Sequence, residues 1–221
     1  PTSARLASKQ THTLTFGTRI PLNAERGVDF VRMFTHWHNM EDERVDIDLS
    51  VELVNDDISA NISLSWHDMA SGQAFDSYHS GDLTTAPEGA AEFVDFDFVK
   101  ARKYGRYAVV CNYCFTGQKF ADVPQCFSGI MFLPERAKQG EVFNPQFVKL
   151  KFDLTQPTCK DVAFVLDLET QELIWADTTL LSLYSGQVAS VDRGLEVALR
   201  RVLEKQISIY DWMTLHGDHL Q

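Results

Sequence analysis

The chain has 221 residues, 44% of them hydrophobic and 15 of them Phe, which describes an ordered globule able to bury a substantial core, not a disordered polymer. Its 31 acidic residues outnumber 20 basic ones, and the net charge of -11 argues against a nucleic-acid partner, because phosphate binding needs a basic face. No apolar run approaches the ~18 residues of a membrane-spanning helix, so no membrane span is expected.

Residues 1–9 are polar and lack the apolar core of a signal peptide, which makes cytoplasm the expected location. The first residue is not Met, so the chain reads as processed or as a fragment of a longer protein. Strands are predicted at 14–22 and 30–38. The run 45–54 alternates strongly, with Val45, Ile47, Leu49, Val51 and Leu53 on one face and Asp46, Asp48, Ser50 and Glu52 on the other. That is the pattern of a strand with one buried face. Strands at 61–67 and 75–79 follow, then a stretch rich in acidic and hydroxyl oxygens around Gly81, Pro87 and Gly89. The next strand, 93–98, offers Phe96 and Phe98 to the core and turns Asp95 and Asp97 away. Strands at 107–115 and 126–133 complete a first block, residues 1–133.

The polar stretch 134–145 reads as a loop into a second block, 134–221. Strands are predicted there at 147–154, 162–168 and 172–175, with 167–172 as a hairpin connection. Repeated short strands with little helix between them indicate a mainly β protein, an antiparallel β-sandwich with C-terminal helices. At the end the period changes. Ser190 can cap a helix at 191–206, in which Val191, Leu195, Ala198, Leu199 and Val202 recur at helical spacing. Residues 208–211 resemble a capping box with Asp in place of Glu and open a last short helix toward His216. The second block is expected to pack on the same domain as the first.

Asp46 and Asp48 project from one side of a strand, and like charges held so close repel unless a cation offsets them. An oxygen-rich loop that turns tightly is the second thing a hard cation needs, since calcium takes about six to eight oxygen ligands. The expected metal ligands are therefore Asp46, Asp48, Asp82, Glu88 and Glu92, and the expected ion is calcium.

The same two segments carry a family resemblance. Asp46-Ile-Asp48-Leu-Ser50, followed by Ser80-Gly81-Asp82-Leu83-Thr84 with Glu88, Glu92 and Asp95 behind it, resembles the D-x-D-x-S strand and G-D-N-L-T-G-type acidic loop of the tellurium-resistance TerD family. The resemblance covers roughly residues 14–133. It implies a β-sandwich that binds calcium in its loops, with a stress-response role and a protein partner instead of catalysis. One departure stands out: the family's loops tend to carry consecutive acids where this chain has Ala90-Ala91, which implies that one of two expected ions is weakened or lost.

Three further readings of the residues stay open. A divalent-metal-assisted phosphoesterase would use Asp46, Asp48 and Asp82 as metal ligands. An ion-free interaction domain would offer its acidic loops to a basic protein. Against an enzyme, the chain has no G-x-S-x-G, no phosphate-binding P-loop and no G-x-G-x-x-G. The third concerns transition metals. Cys111-Asn-Tyr-Cys114 has zinc-like spacing, with Cys126 and Cys159 as possible completing ligands, but a strand at 107–115 sends Cys111 and Cys114 to opposite faces, so thiols are expected. His36-Trp37-His38 puts two imidazoles on one strand face as a half-site.

Overall fold

The computed structural model describes residues 4–5, 13–22, 29–58, 61–68, 72–133, 144–179 and 193–203. Its strands are β1 (Ala4–Arg5), β2 (Thr13–Leu14), β3 (Arg19–Pro21), β4 (Phe30–Trp37), β5 (Ile47–Val54), β6 (Asn61–Leu64) and β7 (Tyr78–His79). They continue with β8 (Ala90–Asp97), β9 (Tyr107–Cys114), β10 (Phe127–Leu133), β11 (Val148–Asp153), β12 (Lys160–Asp167) and β13 (Glu172–Thr179). Two helices are described, α1 (Phe98–Ala101) and α2 (Arg193–Leu203).

The strands form a five-stranded sheet in the order β11-β10-β4-β8-β7 and a six-stranded sheet in the order β3-β13-β12-β9-β5-β6, with β1 and β2 paired separately. Every pairing is antiparallel, and the arrangement is a β-sandwich. The two sequence blocks are interleaved. β11 extends the first sheet beside β10, while β12 sits inside the second sheet between β9 and β13.

Alternation decides what each strand gives to the core. Met33, Trp37, Val94, Phe96 and Ile130 of one sheet pack in a single cluster with Ile47, Leu49, Val51, Val110, Phe164 and Trp175 of the other. The outer face of the six-stranded sheet is also apolar: Val109, Cys111, Val165 and Ile174 lie under Leu195, Leu199 and Val202 of α2. On the outer face of the five-stranded sheet, Phe34, Phe93, Met131 and Leu133 form a third cluster.

A polar bridge crosses the core between the sheets. Thr35 Oγ1 donates to Asn112 Oδ1 (2.5 Å), and Asn112 Nδ2 donates to Asp161 Oδ1 (3.0 Å).

Several sequence expectations shift in detail. β5 was expected to bury one face, yet all eight of its residues are buried, because β9 flanks its whole length and the outer face of its sheet is itself covered. Phe75 belongs to a 3-10 turn, Gln73–Phe75, and leaves only a two-residue strand at Tyr78–His79. Phe98 starts α1 instead of ending a strand, since Asp97 Oδ1 accepts from Lys100 N–H (2.9 Å) and caps that turn. Asp95 faces away from the main core as expected but is fully buried, held by Arg32 at 2.7 and 2.8 Å beneath the Phe93 ring. α2 carries the expected stripe of Leu195, Ala198, Leu199 and Val202. The Ser190 cap and the helix expected at 208–216 lie outside the described residues.

Candidate metal centre

The centre forms where a strand runs out of neighbours. β6 pairs with β5 only over Val51–Val54, so among the described residues no strand flanks the main chain of Leu49 on that edge. Buried backbone groups need partners, and two buried side chains from the opposite sheet supply them. Leu49 N–H donates to Glu92 Oε2 (2.9 Å), and Leu49 C=O faces His79 Nε2 at 3.1 Å. His79 Nδ1 accepts from Gly81 N–H (3.0 Å), which puts the ring proton on Nε2 and makes that nitrogen the donor to Leu49. Gly81 sits at φ +100°, a backbone region costly for other residues, and turns the chain there.

Glu92 does a second job. Its Oε1 accepts from Leu83 N–H (2.9 Å), so one buried carboxyl staples the 80–84 loop to β5. Ser80 fixes the other end of that loop by exchanging bonds with Phe93: its N–H donates to Phe93 O and its Oγ accepts from Phe93 N–H, both at 2.9 Å.

Held in this way, Asp82 meets the D-x-D strand. Carboxylate oxygens of Asp46, Asp48 and Asp82 all lie within 4.8 Å of one another, with Asp46 and Asp48 buried and Asp82 exposed. Asp46 N–H donates to Thr116 Oγ1 (3.1 Å), and Phe115 N–H donates to Asp46 C=O (2.8 Å). Arg44 Nη1 lies 3.3 Å from Asp46 Oδ2 and donates to Thr84 C=O at 2.9 Å, offsetting part of the charge from the solvent side. The Trp66 side chain donates to Asp48.

The electrostatics record the crowding. Burial, and then the Asp46 and Asp82 charges, push the Asp48 carboxyl up to about 6, against which the Trp66 hydrogen bond acts. Asp46 is raised by burial, with Arg44 opposing and Asp82 adding to the rise. Burial pushes Glu92 up to about 8 in spite of its two backbone N–H bonds. At an effective dielectric of about 20, each pair of ionised carboxylates at this range repels by roughly 3 kcal/mol, less where solvent screens Asp82. Next along the same face of β5, the buried Ser50 Oγ has no hydrogen-bond partner among the described residues.

Of the five residues read from the sequence as ligands, the structure brings together Asp46, Asp48 and Asp82. Glu92 stands behind them with its oxygens on Leu49 and Leu83 N–H. Glu88 is exposed on the turn at Pro87 and outside the cluster. The Ala86 carbonyl in the same loop accepts from Asn39 and Gly89 N–H. Ala90 and Ala91 point to opposite faces of β8: Ala90 packs on the main core, while Ala91 stands across the ladder from His36. Cys111 and Cys114 also fall on opposite faces, Cys111 under α2 and Cys114 in the main core, and all four cysteines are thiols.

Sequence reasoning missed Trp66, Arg44, Thr116 and the positioning role of His79. Arg44 had a legible signal, since it directly precedes the D-x-D strand. Trp66 had none, because its contact with Asp48 depends on how the segment after β6 folds back.

The fold and centre together define an antiparallel β-sandwich with a carboxylate cluster at an unpaired strand edge. No family model matches the chain, and no curated protein matches it.

Proposed function

We propose that this protein is a calcium-binding, non-catalytic module of TerD-like type that acts in a stress response through a protein partner. The observation that carries the reading is the convergence within 4.8 Å of Asp46 and Asp48 on the D-x-D strand with Asp82 on a loop that Glu92 and His79 staple in place. Three carboxylates are a hard-oxygen donor set, suited to calcium or magnesium and unsuited to soft metals. The Ser50 hydroxyl on the same strand face, without a hydrogen-bond partner among the described residues, supports a polar occupant at this end of the strand.

In this reading Asp46, Asp48 and Asp82 hold the ion, and loop carbonyls and water complete the six to eight oxygens that calcium prefers. When bound, calcium neutralises the cluster and ties the loop to β5. Glu92 positions the loop and does not ligate, and Glu88 stands apart. The expected location is the cytoplasm; no described helix is long and apolar enough to cross a membrane.

The test is calcium-titration calorimetry on metal-stripped protein. Saturable binding that Asp48→Asn removes is the expected result. Absence of binding by the wild-type protein would overturn the reading. Turnover of a generic phosphodiester with added metal would replace it with the phosphoesterase.

A further inference from the structure

The ladder between β9 and β12 ends on two cysteines. β9 closes at Cys114, and Cys159 directly precedes β12. The register pairs Tyr113 with Lys160, and one step further sets Cys114 across from Cys159. A backbone bond marks that rung: Cys114 N–H donates to Cys159 C=O at 2.8 Å. Residues opposite each other in an antiparallel pair share a face. Here it is the inner face, where Cys114 belongs to the main core cluster and Cys159 packs against it.

Such a rung holds its Cα atoms about 5.5 Å apart, inside the range of roughly 4.4–6.8 Å that a disulfide spans. Its Cβ atoms stand about 4.5–5.5 Å apart, and a disulfide draws them to roughly 3.5–4.5 Å, so the rung must tighten by about 1 Å. The end of a ladder can give by that much. The Cys114 carbonyl accepts from Gly117 N–H (3.0 Å) as the chain turns away from β9, and Cys159 follows a bend at Pro157-Thr158, outside the strand. A bond closed against the natural spacing carries strain, and strain makes a disulfide easier to reduce.

The other two cysteines have no such facing thiol. Cys111 lies on the outer face under α2, and Cys126 has Leu154 across from it, whose N–H donates to Cys126 C=O at 2.9 Å. Within the pair the two thiols differ. Cys159 is half-buried, whereas Cys114 is fully buried and its Sγ–H donates to Gln118 Oε1 (3.3 Å). Burial pushes the Cys114 thiol up; Thr116, Gln118 and Gly117 oppose this, and the neighbouring Cys159 adds to it. Cys159 therefore meets a dissolved oxidant first, and Cys114 is placed to resolve the product.

We propose that Cys114 and Cys159 form a redox pair, a modification site that a hydroperoxide converts reversibly to a disulfide across the last rung of the β9–β12 ladder. Cys159 Sγ attacks one peroxide oxygen; the O–O bond breaks, an S–O bond forms, and with hydrogen peroxide the departing hydroxide leaves as water with the thiol proton. Cys114 Sγ then displaces the second hydroxyl from Cys159, forming the S–S bond and releasing a second water with its own proton. Two thiols are oxidised and one peroxide is reduced to two waters. None of this depends on an ion at the acidic centre.

The probe is hydrogen peroxide at about one equivalent, added to the reduced full chain, with thiols counted in denaturant and the bond mapped by mass spectrometry of unreduced peptides. The wild type should fall from four thiols to two, with a Cys114–Cys159 bond that dithiothreitol reopens. Cys126→Ser should still lose two thiols, and Cys159→Ser should lose none. In Cys114→Ser the sulfenic acid on Cys159 has no resolving partner and should be captured by dimedone; far-ultraviolet dichroism checks that each variant is folded. A wild type that keeps four thiols overturns the proposal, as does a bond mapped to Cys126 or between two chains. Thiol loss that dithiothreitol does not restore overturns it too. A folded Cys114→Ser variant that yields no dimedone adduct on Cys159 refutes the order of attack.

Discussion

Asp48→Asn isolates the charge at the centre. The carboxyl rises from 3.8 to about 6 on folding, first through burial and then through Asp46 and Asp82. Such an acid holds its proton more tightly when folded, so its ionisation at pH 7 opposes folding by up to about 3 kcal/mol. Solvent at the open side of the site reduces this to on the order of 2 kcal/mol. Asn has nearly the same volume and can still accept from the Trp66 side chain. In chelator at pH 7 the variant should therefore melt above the wild type by about 4–8 °C, the scale for a domain of this size. Calcium reverses the order. At about a hundredfold excess over Kd, a ligand bound only by the folded state adds roughly 2.7 kcal/mol. The wild type should gain that and the variant should not, while sodium at equal ionic strength does nothing for either. Scanning calorimetry with chelator, calcium or sodium reads all of this. A variant that melts below the wild type in chelator and keeps the full calcium shift would refute the assignment of Asp48.

Four more expectations follow from the same geometry. Glu92 is pushed up from 4.5 to about 8, so its share of stability is full below about pH 4.5 and is lost as pH rises toward 8 in metal-free protein. Glu92→Gln should flatten that decline in thermal melts, at a cost of about 1–3 kcal/mol for a backbone N–H left without an acceptor; an undiminished slope would contradict it. Asp161 is fully buried and raised from 3.8 to about 8, so its cost to folding begins near pH 4, and Asp161→Asn should exceed the wild type in urea unfolding at pH 6 and by more at pH 9. A loss of stability at both pH values would show that Asp161 is ionised and paired. Trp66→Phe should remove the tryptophan-fluorescence response to calcium, and a response of unchanged size would place the reporter elsewhere. Ala91→Asp should leave calcium affinity where it was, measured by calorimetry, because its side chain faces His36; tighter calcium binding would mean that β8 presents the opposite face.

Most of the strand series was legible because alternation and chain punctuation are local properties. The run 45–54 announced its period, and β12 and β13 flank a turn that was legible from its polarity. Alternation could not say whether the second face of β5 would also be covered, since that depends on α2 and its sheet neighbours from far along the chain. Asp46, Asp48 and Asp82 were readable for the same reason: two share a strand face and one sits on a glycine turn beside them. Trp66 was not, because its contact with Asp48 is a matter of tertiary approach.

The two neighbours Ala91 and Glu92 show what composition alone conceals. Counted as part of one acidic segment, Glu92 reads as a ligand and Ala91 as a missing one. On a strand, adjacent residues face opposite ways, and here the difference is complete: Glu92 points inward to the bare edge of β5, and Ala91 points outward to His36. The inward carboxyl has both oxygens committed to backbone N–H groups, and the demand at Leu49 exists because β6 ends at Leu64, opposite Val51. Shortening β6 therefore opens the strand edge, the open edge recruits Glu92 and His79, and those two hold the loop that carries Asp82 to Asp46 and Asp48. Lengthening β6 to cover Leu49 would take away the reason for Glu92 to be buried there, and with it the loop position on which the carboxylate cluster depends.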